Sequence, residues 1–302
     1  MSDSNRNHKK IGFSTGALEK GNYRQALRWL RNHQVHNVEL SALRIEELQP
    51  LVEAIESLPI ETFSYISFHA PSAFPAEAET HVTDLLHHVF KQGWNIIVHP
   101  DVIRQPVLWR PFGRKLLLEN MDRRKNVART ADELTIWFHE LPEARLCLDV
   151  AHARQLDTTL GVLTEIIVKF LSKIAEIHIS ELDSNCAHQL MSVTSVMDYR
   201  QVANRFRPTM PIIIESMLDN VDTRTRLNEL VSAECAMGAH PHHFKPTTAF
   251  YFWCACPTAF RFFSHLKNTR PKQGSSKKNH SSHSRARIRK RVLRLARAKH
   301  IT

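Results

Sequence analysis

The sequence predicts a (β/α)8 barrel, the TIM-barrel fold, on three observations. Eight short runs of apolar, often β-branched residues recur along the first 216 residues. Each run is almost continuously apolar, which is typical of parallel strands buried on both faces. Stretches with helical spacing of apolar residues separate most of the runs, as expected for a chain of βα units.

The predicted strands open with IGFST and close with PIIIES. They cover residues 11–15, 37–41, 65–70, 95–100, 116–120, 145–150, 176–180 and 211–216. Helical periodicity extends over residues 23–33, 45–58, 77–91, 131–141, 159–173, 197–206 and 224–235. Segment 101–114 has the weakest helical pattern, because it contains two prolines and a glycine.

An open, doubly wound sheet is the main alternative to the barrel. That fold places a glycine-rich phosphate loop after an early strand. Gly16 alone follows closely on the first predicted strand. The pattern therefore favours the barrel.

The charge distribution divides the chain into two parts. Residues 1–234 carry 26 Lys/Arg and 30 Asp/Glu, whereas residues 235–302 carry 15 Lys/Arg and no acidic residue. We therefore predict a barrel domain over residues 1–236. Residues 237–302 are predicted to form a basic, aromatic- and histidine-containing C-terminal extension that is largely disordered.

The basic extension allows three interpretations. Residues 285–300 are a basic amphipathic stretch, so residues 267–300 are a candidate for binding nucleic acid or an anionic surface. The extension could also be a solvated tail without a role. Its lack of acidic residues is equally what translation out of frame, or the remnant of a gene fusion, would produce.

The composition predicts a cytoplasmic, soluble protein. No apolar run reaches the roughly 18 residues that a membrane span needs. The polar start MSDSNRNHKK is not followed by the apolar core of a signal peptide. The five cysteines are odd in number and scattered, which fits a reducing compartment.

Metal-type side chains stand at the ends of six successive predicted strands. They are His69, His99, Glu119, Asp149, His178 and Glu215. The C-terminal strand ends of a barrel meet around one mouth, where the catalytic groups of this fold gather. Crowding imidazoles and carboxylates there is costly unless a cation joins them. The mixed donor set suits Zn²⁺, Mn²⁺ or Fe²⁺.

Single residues of these types carry weaker signals. A lone histidine at a strand end is more often a structural hydrogen-bonding residue, and a lone acid is often a helix cap. His152, three residues after Asp149, and His188, ten residues after His178, join the predicted ligands. Asn120 is expected to orient its neighbour Glu119.

Six motifs resemble those of the xylose isomerase-like barrel superfamily, which includes endonuclease IV and sugar-phosphate isomerases and epimerases. They are FHAPS (68–72), VHPD (98–101), LLENMD (117–122), CLDVAH (147–152), IHISE (177–181) and IIIES (212–216). The resemblance extends over residues 11–234. It implies a divalent-metal enzyme on a (β/α)8 barrel.

The isomerase and epimerase branch of this superfamily implies a single metal ion. The resemblance assigns its ligands to Glu119, Asp149, His178 and Glu215. In that branch the two glutamates also move protons at the carbon that is isomerised. His152 would contact the substrate.

The endonuclease IV branch implies up to three ions. The resemblance assigns the first to His69, His99 and Glu119, and lets Glu119 bridge to a second ion in the four-residue set above. A third ion would be held by His152, His188 and an aspartate two residues before His188. Cys186 occupies that last position here. The third site is therefore expected to be weak, and a three-metal DNA-repair enzyme is not predicted.

Two enzyme classes remain, and hydrolysis is slightly favoured. His69 and His99 are not required by the isomerase set, so they indicate a metal-assisted hydrolase of a phosphoester or related sugar-containing substrate. The alternative is a sugar or sugar-phosphate isomerase or epimerase with Glu119 and Glu215 as acid and base. A non-catalytic binding barrel is the minor alternative. The predicted cofactor is one or two divalent ions, with a weaker third.

Overall fold

A computed structural model of the chain describes residues 10–238. The strands are β1 (Lys10–Ser14), β2 (Asn37–Ser41), β3 (Tyr65–His69), β4 (Asn95–Val98), β5 (Leu116–Glu119), β6 (Arg145–Asp149), β7 (Ile174–Ile179), β8 (Glu181–Leu182), β9 (His188–Gln189) and β10 (Pro211–Ile214). All except β8 and β9 form a closed barrel in the order β1-β10-β7-β6-β5-β4-β3-β2. The predicted (β/α)8 barrel is confirmed.

The barrel strands are parallel, and helices lie between them. The α-helices are α1 (Thr15–Glu19), α2 (Tyr23–Asn32), α3 (Ile45–Ala54), α4 (Glu79–Lys91), α5 (Pro106–Trp109), α6 (Ala131–Glu140), α7 (Val150–Leu156), α8 (Gly161–Phe170), α9 (Val193–Arg200) and α10 (Thr223–Ala236). Short 3-10 helices cover Ile55–Ser57, Ala76–Ala78, Pro100–Val102, Arg110–Lys115 and Ala203–Arg205. Within residues 10–238 no helix is both long and apolar enough to cross a membrane. The predictions for residues 239–302 lie outside the described residues.

Two features of the helix pattern differ from the prediction. The helix predicted over residues 197–206 begins earlier, because the Ser192 hydroxyl accepts a hydrogen bond from the Ser195 amide at 3.2 Å and caps α9. The chain between β7 and α9 also forms a small antiparallel hairpin, β8–β9, which the sequence did not predict. Thr130 caps α6, since its hydroxyl accepts a hydrogen bond from the Glu133 amide at 3.3 Å.

The barrel closes through a close approach of β1 and β2. Phe13 pairs with Val38 and Ser14 with Glu39. A Cβ atom placed on Gly12 would lie 2.0 Å from the carbonyl oxygen of Asn37. Glycine is therefore required at position 12 for the strands to meet.

The apolar core inside the barrel lies directly below the predicted site. Ile97, Leu117, Cys147 and Ala175 form a buried cluster contributed by four neighbouring strands. Side chains two residues apart share one face of an extended chain. The residues two positions after the first three members are His99, Glu119 and Asp149. The chain thus carries its metal-type side chains as the next layer toward the mouth.

Candidate metal centre

Glu119 lies at the centre of the predicted ligands. Its Oε2 atom is 3.1 Å from Nε2 of His69 and 3.4 Å from Nε2 of His99. Its Oε1 atom is 3.3 Å from Nδ1 of His152 and 3.7 Å from Nδ1 of His178. The two oxygens of one carboxylate therefore face two different sets of histidines.

The first set consists of His69, His99 and Glu119. One ligand atom from each lies within 4.8 Å of the others. The ring nitrogen Nδ1 of His69 lies 2.7 Å from the carbonyl oxygen of Ala70. A carbonyl only accepts, so Nδ1 carries a proton and Nε2 is the nitrogen directed at Glu119.

The second set consists of Glu119, Asp149, His178 and Glu215, again with ligand atoms within 4.8 Å of one another. Nδ1 of His178 is 3.3 Å from Oε2 of Glu215. Oδ2 of Asp149 and Nδ1 of His178 are buried and make no hydrogen bond to any described residue. Buried polar atoms without a partner are costly. Their convergence with two carboxylates is the feature that a divalent cation would satisfy.

A third set joins Asp149, His152 and His188. Cys186 does not belong to it, because its thiol lies 3.3 Å from Oε1 of Gln155. The backbone of Cys186 has a φ of 61°, in the left-handed region. The residue in the aspartate position therefore contacts a neighbouring side chain rather than the ligand set. Asp149 takes the place of the carboxylate expected there.

The side chains of the centre differ in exposure. The side chains of Asp149 and His178 are 0% exposed, and that of Glu119 is 1% exposed. The side chains of Glu215 and His188 are 13% and 23% exposed. His99, at 14%, is as exposed as Glu215, so both sides of the centre reach the mouth of the barrel.

Asn120 fixes the ends of β5 and β6 against each other. Its Nδ2 donates to the carbonyl oxygen of Asp149 at 2.9 Å, and its Oδ1 accepts from the Asp149 amide at 2.8 Å. Its own carbonyl oxygen lies 2.8 Å from Nδ1 of His152. The expectation that Asn120 orients Glu119 is therefore replaced: its side chain orients Asp149, and its backbone orients His152.

The charges around Glu119 reinforce one another. Burial opposes ionisation of the Glu119 carboxyl, but the charges of His99 and His178 bring its pKa well below the usual value. Burial also opposes charge on His69, but the hydrogen bond to Glu119 and the charge of Glu39 raise its pKa to about 9. Protons on His69 and His178, whose pKa values are both raised, balance the carboxylates in the metal-free protein. A bound cation would displace them.

The pKa values of Asp149, His188 and Glu215 are shifted in different directions. Burial raises the pKa of Asp149 to about 7, against the opposing charge of His152. Burial lowers the pKa of His188 to about 4, although Glu215 acts in the opposite direction. Burial would raise the pKa of Glu215, but the charge of His178 lowers it below its usual value. Near neutral pH His188 is therefore neutral and Glu215 ionised, which are the forms that bind cations, whereas Asp149 still shares a proton.

Two buried glutamates of this region were missed or misassigned from sequence. Nε2 of His178 lies 3.1 Å from Oε2 of Glu39 and 3.3 Å from Oε1 of Glu176. Its place near the end of β2 suits Glu39 to substrate binding or helix capping, but its carboxylate instead contacts His178. Glu176 had no role, although its position two residues before His178 places both side chains on one face of β7.

The charged loop after β5 lies beside the mouth. Arg124 pairs with Asp122 at 2.5 Å, and Lys125 pairs with Asp101 at 2.5 Å. Arg123 instead donates to the neutral carbonyl oxygen of Ser184. Arg123 is therefore the member of this loop best suited to meet an anionic group.

Comparisons with known proteins support the fold. No protein-family model and no curated protein matches the sequence. Endonuclease IV from Thermus thermophilus is similar in structure, with a TM-score of 0.51 and 17% identity over 76% of this chain and 98% of that one. A xylose isomerase-type protein from Rhodospirillum rubrum gives a TM-score of 0.53 and 13% identity over 77% of this chain and 100% of that one. The chain therefore has the fold of the xylose isomerase-like barrel superfamily, as its motifs predicted.

Proposed function

We propose that this protein is a divalent-metal-dependent hydrolase of phosphoesters, acting on a small sugar- or phosphate-containing substrate. One observation carries the proposal: Glu119 belongs to two ligand sets at once. The first set needs His69 and His99, for which the single-metal isomerase arrangement has no use. A carboxylate whose two oxygens face separate sets suits a pair of bridged ions.

The residues of the two sets would hold a pair of divalent ions, which would supply an activated water and stabilise the leaving oxygen. The chain's own residues do the rest. Glu119 holds the two sets together, and His69 is held in one tautomer by the Ala70 carbonyl. Glu215, ionised at neutral pH and partly exposed, is placed to accept a proton. His152 keeps Nδ1 against the Asn120 carbonyl, which leaves Nε2 for the substrate or for a weaker third ion.

Metal counting tests this function directly. The purified protein should retain two equivalents of Zn²⁺ or Mn²⁺ by mass spectrometry after dialysis, and should hydrolyse bis(4-nitrophenyl) phosphate. His99→Ala should lower the metal content to one equivalent, because His99 borders only the first set. His139→Ala, an exposed histidine on α6, is the matched control and should keep both ions. A wild-type protein with one tight ion would overturn the two-metal hydrolase.

A sugar or sugar-phosphate isomerase or epimerase is the second candidate. The observation in its favour is that the four-residue set is complete and contains both glutamates, with Glu215 and Glu119 lying 3.3 and 3.7 Å from Nδ1 of His178. In this function Glu119 and Glu215 exchange a proton with the substrate carbon. Deuterium uptake at that carbon from D2O, with a panel of aldose and ketose phosphates, would reveal it. Glu215→Gln should abolish the exchange.

A further inference from the structure

The interior of the barrel contains a buried polar network below the metal centre. Glu39, Ser67 and Glu176 are 0% exposed, and the Ser67 hydroxyl donates to Oε1 of Glu176 at 3.0 Å. The interior of this fold is normally filled by bulky apolar side chains. Two carboxylates there are costly to bury unless other groups compensate them.

The two carboxylates share one nitrogen of a metal-centre histidine. Nε2 of His178 lies 3.1 Å from Glu39 and 3.3 Å from Glu176. Nδ1 of the same ring lies on the opposite side, 3.3 Å from Glu215. Both carboxylates accept hydrogen bonds from serine hydroxyls, so the ring N–H is the donor that fits between them. When a cation displaces one proton, the proton that the ring keeps therefore belongs on Nε2, and the lone pair of Nδ1 is left for the mouth.

Glu176 is itself held by other strands. The Tyr65 hydroxyl donates to its Oε2 atom, and Nδ2 of Asn95 donates to the Tyr65 oxygen at 2.9 Å. Glu39 accepts from the Ser41 hydroxyl at 3.1 Å. Donors on β2, β3 and β4 thus fix the two carboxylates, and through them the ring on β7.

We propose that Glu39 and Glu176 are positioning residues that lock His178 with its proton on Nε2 and its Nδ1 lone pair facing the second ligand set. They would act as the outer carboxylates of a carboxylate–histidine–metal arrangement, with two acceptors in place of one. Such outer partners typically contribute roughly 10- to 100-fold to metal affinity. The inference rests on the metal site of the proposed function.

The first test measures zinc affinity by competition with a chelating dye. Glu39→Gln and Glu176→Gln should each weaken zinc binding at the second set by about tenfold or more. The control is Glu79→Gln, another fully buried carboxylate, which accepts from the Trp109 indole at 2.9 Å and has no contact with His178. Its zinc affinity should equal that of the wild type. Equal zinc affinity in both network variants would overturn the proposal.

The second test needs no variant of the network. In protein labelled with 15N at histidine, His178 should show a proton on Nε2 that exchanges slowly with water, both without metal and with zinc bound. The resonance is assigned by its loss in His178→Gln. Zinc bound at Nε2, or a rapidly exchanging Nε2 proton, would refute the positioning role. If the protein binds no zinc but the Nε2 proton still exchanges slowly, the proposed function is wrong. The orientation of the His178 ring by the two carboxylates would still be supported.

Discussion

Replacing Asn120 with alanine should destabilise the protein strongly, because one side chain satisfies two backbone groups. The Asn120 side chain is 0% exposed and bonds both the amide and the carbonyl of Asp149, at 2.8 and 2.9 Å. Leaving a buried polar group unpaired costs about 1–3 kcal/mol. Two such groups lower the expected free energy of unfolding by about 2–6 kcal/mol. The free energy of unfolding of a whole protein is usually about 5–15 kcal/mol.

Urea unfolding of the metal-free protein, followed by tryptophan fluorescence, measures this loss without a contribution from bound ions. Asn126→Ala, an exposed asparagine in the next loop, is the control and should stay within about 0.5 kcal/mol of the wild type. Zinc affinity at the second ligand set should fall as well, since Asp149 is a member of it. A loss below about 1 kcal/mol in Asn120→Ala would show that water or local rearrangement replaces both bonds, and would refute the reasoning.

Four further outcomes are expected. Glu119→Gln should lose both ions by mass spectrometry with its circular dichroism spectrum unchanged, because this carboxylate borders both sets; retention of two ions would contradict the bridging role. Burial raises the pKa of Glu229 above its usual value, so its contribution to stability is present below that usual value and lost as the pH rises through the raised one. Glu229→Gln should therefore gain stability relative to the wild type as the pH of urea titrations is raised from acid to neutral, and a constant difference would count against it. Gly12→Ala should cost about 3 kcal/mol or prevent folding, because the added Cβ would lie 2.0 Å from the Asn37 carbonyl oxygen; a fully stable variant would argue against the strand contact. A chain ending at Gly238 should keep the metal content and unfolding free energy of the full chain, and a lower value of either would give the extension a role in the barrel.

The fold was predictable from sequence because parallel strands buried on both faces have a characteristic apolar pattern. The positions of His69, His99 and Glu119 near strand ends were sufficient to place them at one mouth. The short helix α7 was missed. It has seven residues, and its start depends on the Asp149 carboxylate, which accepts from the His152 amide at 2.6 Å.

The partners of individual side chains were less predictable. Glu176 pairs with His178 on its own strand but also with Tyr65, 111 residues earlier in the chain. Such contacts depend on which inward-facing side chains meet across the barrel. The spacing of apolar and polar residues along the sequence does not show which strands bring them together. Asn120 is a similar case, because its sequence neighbour Glu119 is not the residue that its side chain contacts.

The ligand sets draw on strands from β3 to β10, so they exist only after most of the barrel has formed. His69 and Glu215 meet the same centre although they lie far apart in the chain. An ion that binds only this closed arrangement favours it over every opened form by mass action. Under the proposed function, metal supply would govern the lifetime of the protein as well as its activity. When the ion is scarce, the barrels of newly made chains would stay incompletely closed for longer. Proteases would then degrade these chains, so the amount of protein would fall before its activity per molecule did.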